Sequence, residues 1–147
     1  MIYTYHPDYV DPSVDHDEDD GTMPNSIGEL ANAIIGHKIV AVDKDVTVKG
    51  KYGFNETATK LTLDNGETVS MVEVNDCCAY TDLEEIIEHL PSVEHAVTGV
   101  TTSEGYTRWH ILADLGEIME LRVGWSCGNP FYYGYGFEIA VNAEEVD

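Results

Sequence analysis

Apolar and polar residues alternate most regularly in the second half of the chain. Trp109, Ile111 and Ala113 take every second position in Tyr106–Ala113, and Met119, Leu121, Val123 and Trp125 do the same in Glu117–Trp125. A period of two marks a strand with one face turned to a core. Asp114-Leu115-Gly116 joins the two runs, and a three-residue loop ending in glycine suits a hairpin. That loop sets Arg108 opposite Arg122 and His110 opposite Glu120, all on the polar face. A second hairpin centres on Asp64-Asn65-Gly66. An Asn-Gly two-residue turn pairs Leu61 with Ser70 and Leu63 with Thr68. A three-residue loop with Gly66 left-handed pairs Leu61 with Val69 and Thr59 with Met71. The second register matches apolar with apolar better and is preferred.

Helical spacing occurs twice. Ser26 with Glu29 forms a capping box, Leu30, Ala33 and Ile34 follow as a stripe, and Gly36 suits the position after the last turn. Thr81-Asp82-Leu83-Glu84 is a second box. It predicts a helix through Leu90 with Leu83, Ile86, Ile87 and Leu90 on one face, ended by Pro91. Lys38–Val42, Val93–Thr102 and Gly134–Val141 read as further strands. Lys44–Asn55 reads as a loop or an irregular edge, and Asn142–Asp147 as an acidic tail. The fold expected is a single α+β domain over residues 25–147. It holds an antiparallel β-sheet of about five to seven strands with two short helices. Residues 1–24 form a flexible acidic arm, with Ile2, Tyr3, Tyr5, Tyr9 and Val10 free to dock on the body or on a partner.

Charge narrows the function. The 147 residues hold 28 acids against 7 bases, for a net −21 at pH 7. Residues 1–20 carry −7, residues 21–60 carry +1 and residues 61–147 carry −15. Such a surface repels phosphate backbones and anionic lipid, so direct nucleic-acid binding is not expected. Solubility alone accounts for a negative coat, and a basic partner is its natural complement. No run approaches the ~20 apolar residues that span a bilayer. The N-terminus lacks the pattern of a signal peptide. Three cysteines, two of them adjacent, do not make a secreted disulfide framework, so reduced thiols in a cytosol are expected.

Asp76-Cys77-Cys78, the Leu83–Leu90 segment, Thr107-Arg108-Trp109, Leu121-Arg122-Val123-Gly124-Trp125-Ser126 and Gly134-Tyr135-Gly136 together resemble a family of short bacteriophage proteins. These come mostly from phages of actinobacteria and are built on an Asp-Cys-Cys domain of unknown function. The resemblance spans residues 37–141. It implies a phage origin and expression in the host cytoplasm, and it supplies no catalytic residue.

Four constellations have chemistry to offer. Adjacent side chains on a strand point to opposite faces, so Cys77 and Cys78 chelate one metal poorly and would need Cys127, His95 or His110 to converge on them. The plainer reading is one buried and one half-exposed thiol. Arg108 and Arg122 face each other beside His110 and Glu120. Carboxylates can neutralise that pair, or an anion such as phosphate can. Tyr132, Tyr133 and Tyr135 belong to an aromatic run that completes the core or forms a binding face. Asp15, Asp17 and Asp19 echo a calcium loop but lack its glycine and its distant glutamate.

No cofactor and no complete catalytic set is expected. The leading expectation is a phage accessory protein that binds a host protein non-covalently through Glu84, Glu85, Glu88 and the tyrosines, as an inhibitor or a DNA-mimicking acidic surface. A binder of a small anion or nucleotide at Arg108, His110 and Arg122 is the alternative, and a metal-dependent enzyme ranks last. An exposed edge strand would also permit a homodimer.

Overall fold

A computed structural model of the chain describes residues 11–15, 21–75, 79–127 and 136–146. Helix α1 (Thr22–Ile34) starts one turn before the position that its capping box indicates. Pro24 sits in the first turn, where a missing N–H is harmless. Gly21 precedes the helix in a left-handed conformation, with no side-chain cap. Ser26 is instead buried inside the helix and donates its hydroxyl to the Phe137 carbonyl at 3.0 Å. Gly36, at φ 85°, takes the left-handed position after the helix as its sequence implies.

The described strands form two antiparallel sheets rather than one. The first has β1 (Ile39–Lys49), β2 (Asn55–Leu63), β3 (Thr68–Val72) and β9 (Glu138–Val141), in the order β1-β2-β3-β9. The second has β4 (Val74–Asn75), β5 (Tyr80–Glu88), β6 (Val97–Ser103), β7 (Arg108–Ala113) and β8 (Gly116–Ser126), in the order β4-β5-β8-β7-β6. Among the described residues α1 is the only α-helix, with one 3-10 turn at Ser92–Glu94.

The preferred register of the first hairpin is the one adopted: Leu61 pairs with Val69 and Thr59 with Met71, with Gly66 left-handed at φ 88°. Of the two readings of Lys44–Asn55, the irregular edge holds for Lys44–Lys49. That segment continues β1 along the sheet edge, interrupted by a bulge near Asp45 at φ 60°. The strand expected from Val93 begins at Val97.

The largest departure is β5. Leu83 and Ile86 are three apart, a spacing that suggests a helix face. Here a bulge between Leu83 and Glu85 sets Leu83 opposite Val123 and Ile86 opposite Leu121, two residues on one face of β8. One extra residue in a strand thus reproduces the i, i+3 spacing of a helix. Eight pairings with β8 then hold one edge of β5 along nearly its whole length.

The core runs through α1 and both sheets. Met23, Ile27, Leu30 and Ile34 from the helix meet Leu61, Met71, Val100, Ile111 and Leu121, all essentially inaccessible. Trp109 lies edge-on to Phe137, with ring centroids 5.3 Å apart. At the turn from β6 to β7, Glu104, Gly105 and Tyr106 are all left-handed. Asp11, in the segment assigned to the arm, is 1% exposed and accepts the Tyr106 N–H at 3.0 Å. Residues 11–15 are therefore anchored to the body of the fold.

Candidate functional site

The hairpin of β7 and β8 adopts the register read from its sequence: Arg108 pairs with Arg122 and His110 with Glu120. The turn differs in detail. Ala113 pairs with Gly116, and the surplus residue is taken up as a bulge at Ile118. This bulge turns Ile118 into the core and puts Glu117 on the same outer face as Glu120.

That outer face holds a connected polar cluster. Glu120, only 7% exposed, accepts from Arg122 Nε at 3.0 Å through Oε2. His110 Nδ1 lies 2.6 Å from Glu117 Oε1, and its Nε2 lies 2.7 Å from Ser103 Oγ. Since a carboxylate only accepts, Nδ1 is the donor toward Glu117. Glu120 Oε1 stands 3.9 Å from His110 Nδ1, and Glu117 Oε2 stands 3.9 Å from His89 Nε2. The like-charged arginines are thus separated electrostatically by one carboxylate on Arg122. Arg108 is exposed and makes no ion pair among the described residues. Ser103, Glu117 and His89 escaped sequence reasoning, because the bulge and the strand end that deliver Glu117 and His89 have no signature of their own.

Beside this cluster runs the acidic strand. The bulge in β5 puts both Glu84 and Glu85 on the outer face, next to Asp82. Asp82 and Glu84 lie over Gly124, whose missing side chain leaves room for them: a Cβ there would meet Asp82 Oδ1 at 2.9 Å. Glu84, Glu85 and Glu88 are all exposed, and none makes an ion pair among the described residues. Glu88 Oε1 accepts weakly from the Ser92 N–H at 3.4 Å. β4 pairs only with Tyr80 and Thr81, so from Asp82 onward no described strand covers the second edge of β5. Glu84, Glu85 and Glu88 therefore stand along a sheet edge, not around a helix.

The other sequence candidates divide simply. Cys127 is a half-buried free thiol packed against the core. Cys77, Cys78, Tyr132, Tyr133 and Tyr135 lie outside the described residues.

Residues 32–139 match a domain of unknown function, DUF7448. The chain belongs to this family. No curated protein and no solved structure matches it. The DUF7448 span takes in β1 to β8 and therefore the whole polar face and the acidic edge. Most of α1 and the Asp11 anchor precede it.

A cleft of about 850 Å³ straddles the start of the DUF7448 span. Ser26 and Glu29 of α1 line one side, and Lys51, Tyr52, Glu56, Glu73 and Glu138 line the other. Tyr52 and Phe54, at the turn between β1 and β2, are 79% and 70% exposed. Burial pushes the Glu73 carboxyl above the usual carboxylate range, against the opposing pull of its hydrogen bond from the Leu83 N–H at 3.1 Å. Four carboxylates against one lysine give this cleft the same electrostatic sign as the β5 edge. No described helix is long and apolar enough to cross a membrane.

Proposed function

We propose that the protein works by non-covalent binding of a basic segment of a partner protein along the edge of β5. The carrying observation is that Asp82, Glu84, Glu85 and Glu88 line an edge that no described strand covers, and that the three glutamates make no ion pair among the described residues, the cation opposite Glu85, Arg122, being engaged by Glu120. A free edge offers backbone hydrogen bonds, and its acids select a cationic strand. The resemblance to small phage proteins supports a phage accessory role in the host cytoplasm, with a host protein as partner. An acidic face of this kind can also stand in for a phosphate backbone where the partner binds nucleic acid.

Affinity capture from host lysate at low and at high salt tests the reading. A specific partner should be retained at low salt, released at high salt and lost on reversing Glu84, Glu85 and Glu88 to lysine. A partner indifferent to both manipulations refutes it. The alternative, a small-anion site at Arg108, His110 and Arg122, draws on the unpaired Arg108 guanidinium. It is opposed by Glu117 and Glu120 at its centre. A thermal shift with nucleotides that vanishes in Arg108→Ala would favour it.

A further inference from the structure

We infer that His89, Glu117 and Glu120 form a binding site for a divalent transition ion of the zinc class, independent of partner binding at β5. Two strands deliver the ligands: His89 follows the end of β5, and Glu117 and Glu120 come from the start and the middle of β8. One ligand atom from each residue lies within 4.8 Å of the other two. Ligands at ~2.1 Å around a tetrahedral ion stand about 3.4 Å from each other, so closing on a cation takes only rotamer adjustments.

The surroundings are those of a metal site as well as of an ion-pair cluster. Two histidines accompany the two carboxylates, and imidazole with carboxylate is a donor set that zinc takes readily. His110 donates to Glu117 Oε1 and is held from behind by Ser103, so Glu117 Oε2 is left to face His89. A hydrogen-bonded partner that orients a ligating carboxylate in this way is the usual second layer of a metal site. Glu120 is more than nine-tenths buried. Its Oε2 is taken by Arg122, whereas Oε1 receives no hydrogen bond from a described residue and lies 3.9 Å from His110 Nδ1. Arg122 therefore confines Glu120 to one metal bond and offsets part of the negative charge. Three protein ligands leave a fourth position for water or for a donor from a bound molecule. The exposed side chain of His89 keeps the site open to solvent.

Zinc chloride titrated into the chelator-stripped full chain, followed by calorimetry, tests the assignment. A single equivalent should bind. His89→Ala and Glu117→Gln should each weaken it about tenfold or more, while a Cys77→Ser, Cys78→Ser, Cys127→Ser variant should bind as the parent does. Substituting cobalt(II) supplies a second readout: visible d–d bands without the near-ultraviolet thiolate-to-metal transition. Circular dichroism of the metal-free variants checks that exposed His89 and half-buried Glu117 are dispensable for folding. The same affinity in His89→Ala, loss of binding only in the cysteine variant, or a thiolate band with cobalt would each overturn the proposal. Partner capture by the β5 acids is read in a separate assay, so either result stands without the other.

Discussion

Asp11→Ala should destabilise the fold by far more than a change near a chain end ordinarily does. Asp11 links the segment before α1 to the Tyr106 backbone in the left-handed turn from β6 to β7. Its Oδ2 accepts the buried Tyr106 N–H, its Oδ1 accepts the Ser13 N–H at 2.9 Å and the Ser13 hydroxyl, and its own N–H donates to the Tyr106 hydroxyl at 3.2 Å. Ser13 Oγ in turn accepts the Gly105 N–H at 2.5 Å. Two of the three turn residues are therefore held through one carboxylate. Those residues need holding, because left-handed backbone is costly for Glu104 and Tyr106. Truncation leaves the Tyr106 N–H buried without its acceptor, at about 1–3 kcal/mol, and removes two further bonds worth about 0.5–1 kcal/mol each. The sum is about 2–5 kcal/mol. A domain of this length loses about 3 °C per kcal/mol, so the melting temperature should fall by about 6–15 °C. Urea denaturation of the parent, Asp11→Ala and Asp11→Asn measures the loss directly. Asp11→Asn should fall between the other two, since its amide keeps one acceptor. Tyr106→Phe, which removes only the hydroxyl, should cost less than Asp11→Ala. A loss below about 1 kcal/mol in Asp11→Ala would show that the turn keeps its shape unaided, and would refute the reasoning.

Two carboxyls should give the chain opposite responses to acid. The folded state raises the affinity of Glu73 for its proton, so folding gains stability as pH falls from the folded value toward the unfolded value of about 4.3. Glu73→Gln, which keeps an acceptor for the Leu83 N–H, should raise the melting temperature at pH 7. The gain should disappear once both states are protonated. Asp64 behaves in reverse: its hydrogen bond to His37 holds the carboxyl below the usual range, and that stabilisation is lost as pH falls through the folded value. Asp64→Asn should therefore flatten the acid limb of the stability profile measured by thermal melts between pH 7 and pH 2. In the core, Leu121→Ala deletes a fully buried side chain that stands between its cross-strand neighbours Trp109 and Ile86, and should cost about 2–5 kcal/mol by urea denaturation.

What the sequence disclosed and what it hid follow from the same physics. A hairpin register depends on local pattern and on a glycine at the turn, so the Leu61–Val69 and Arg108–Arg122 pairings were legible. The start of β5 was not. Thr81-Asp82-Leu83-Glu84 has the side chains of a helix cap, and Leu83, Ile86, Ile87 and Leu90 have a helix spacing. Nothing local distinguishes that spacing from a bulged strand, because the bulge is imposed by pairing with β8 some forty residues on. The candidate site divides along the same line. His110 and Glu120 were placed together by register. Glu117 joined them only through the bulge at Ile118, and His89 only because β5 is extended and returns its N–H to the Ile118 carbonyl at 2.9 Å. The division into two sheets was hidden for a similar reason. Which strand closes which sheet is decided by contacts between β3 and β9, far apart in the chain.

That β5 is a strand changes what its acids can recognise. On a helix, Glu88 would lie between Glu84 and Glu85 one turn on, and Asp82 would turn away from Glu84. On the bulged strand Asp82, Glu84 and Glu85 share the outer face, with about 7 Å between alternate positions. A partner strand added along the free edge would project every second side chain toward those carboxylates. The cations it needs thus fall at alternate residues, not at the three- and four-residue steps of a basic helix. A peptide with lysines at every second position should therefore bind more tightly than one of the same composition with lysines in helical steps. Fluorescence anisotropy of the two labelled peptides, titrated with the full chain at low salt, compares them directly. Charge reversal at Glu84 and Glu85 should abolish the difference. Equal affinities would mean that the acids act as a diffuse negative field, without the spacing that the bulge in β5 imposes.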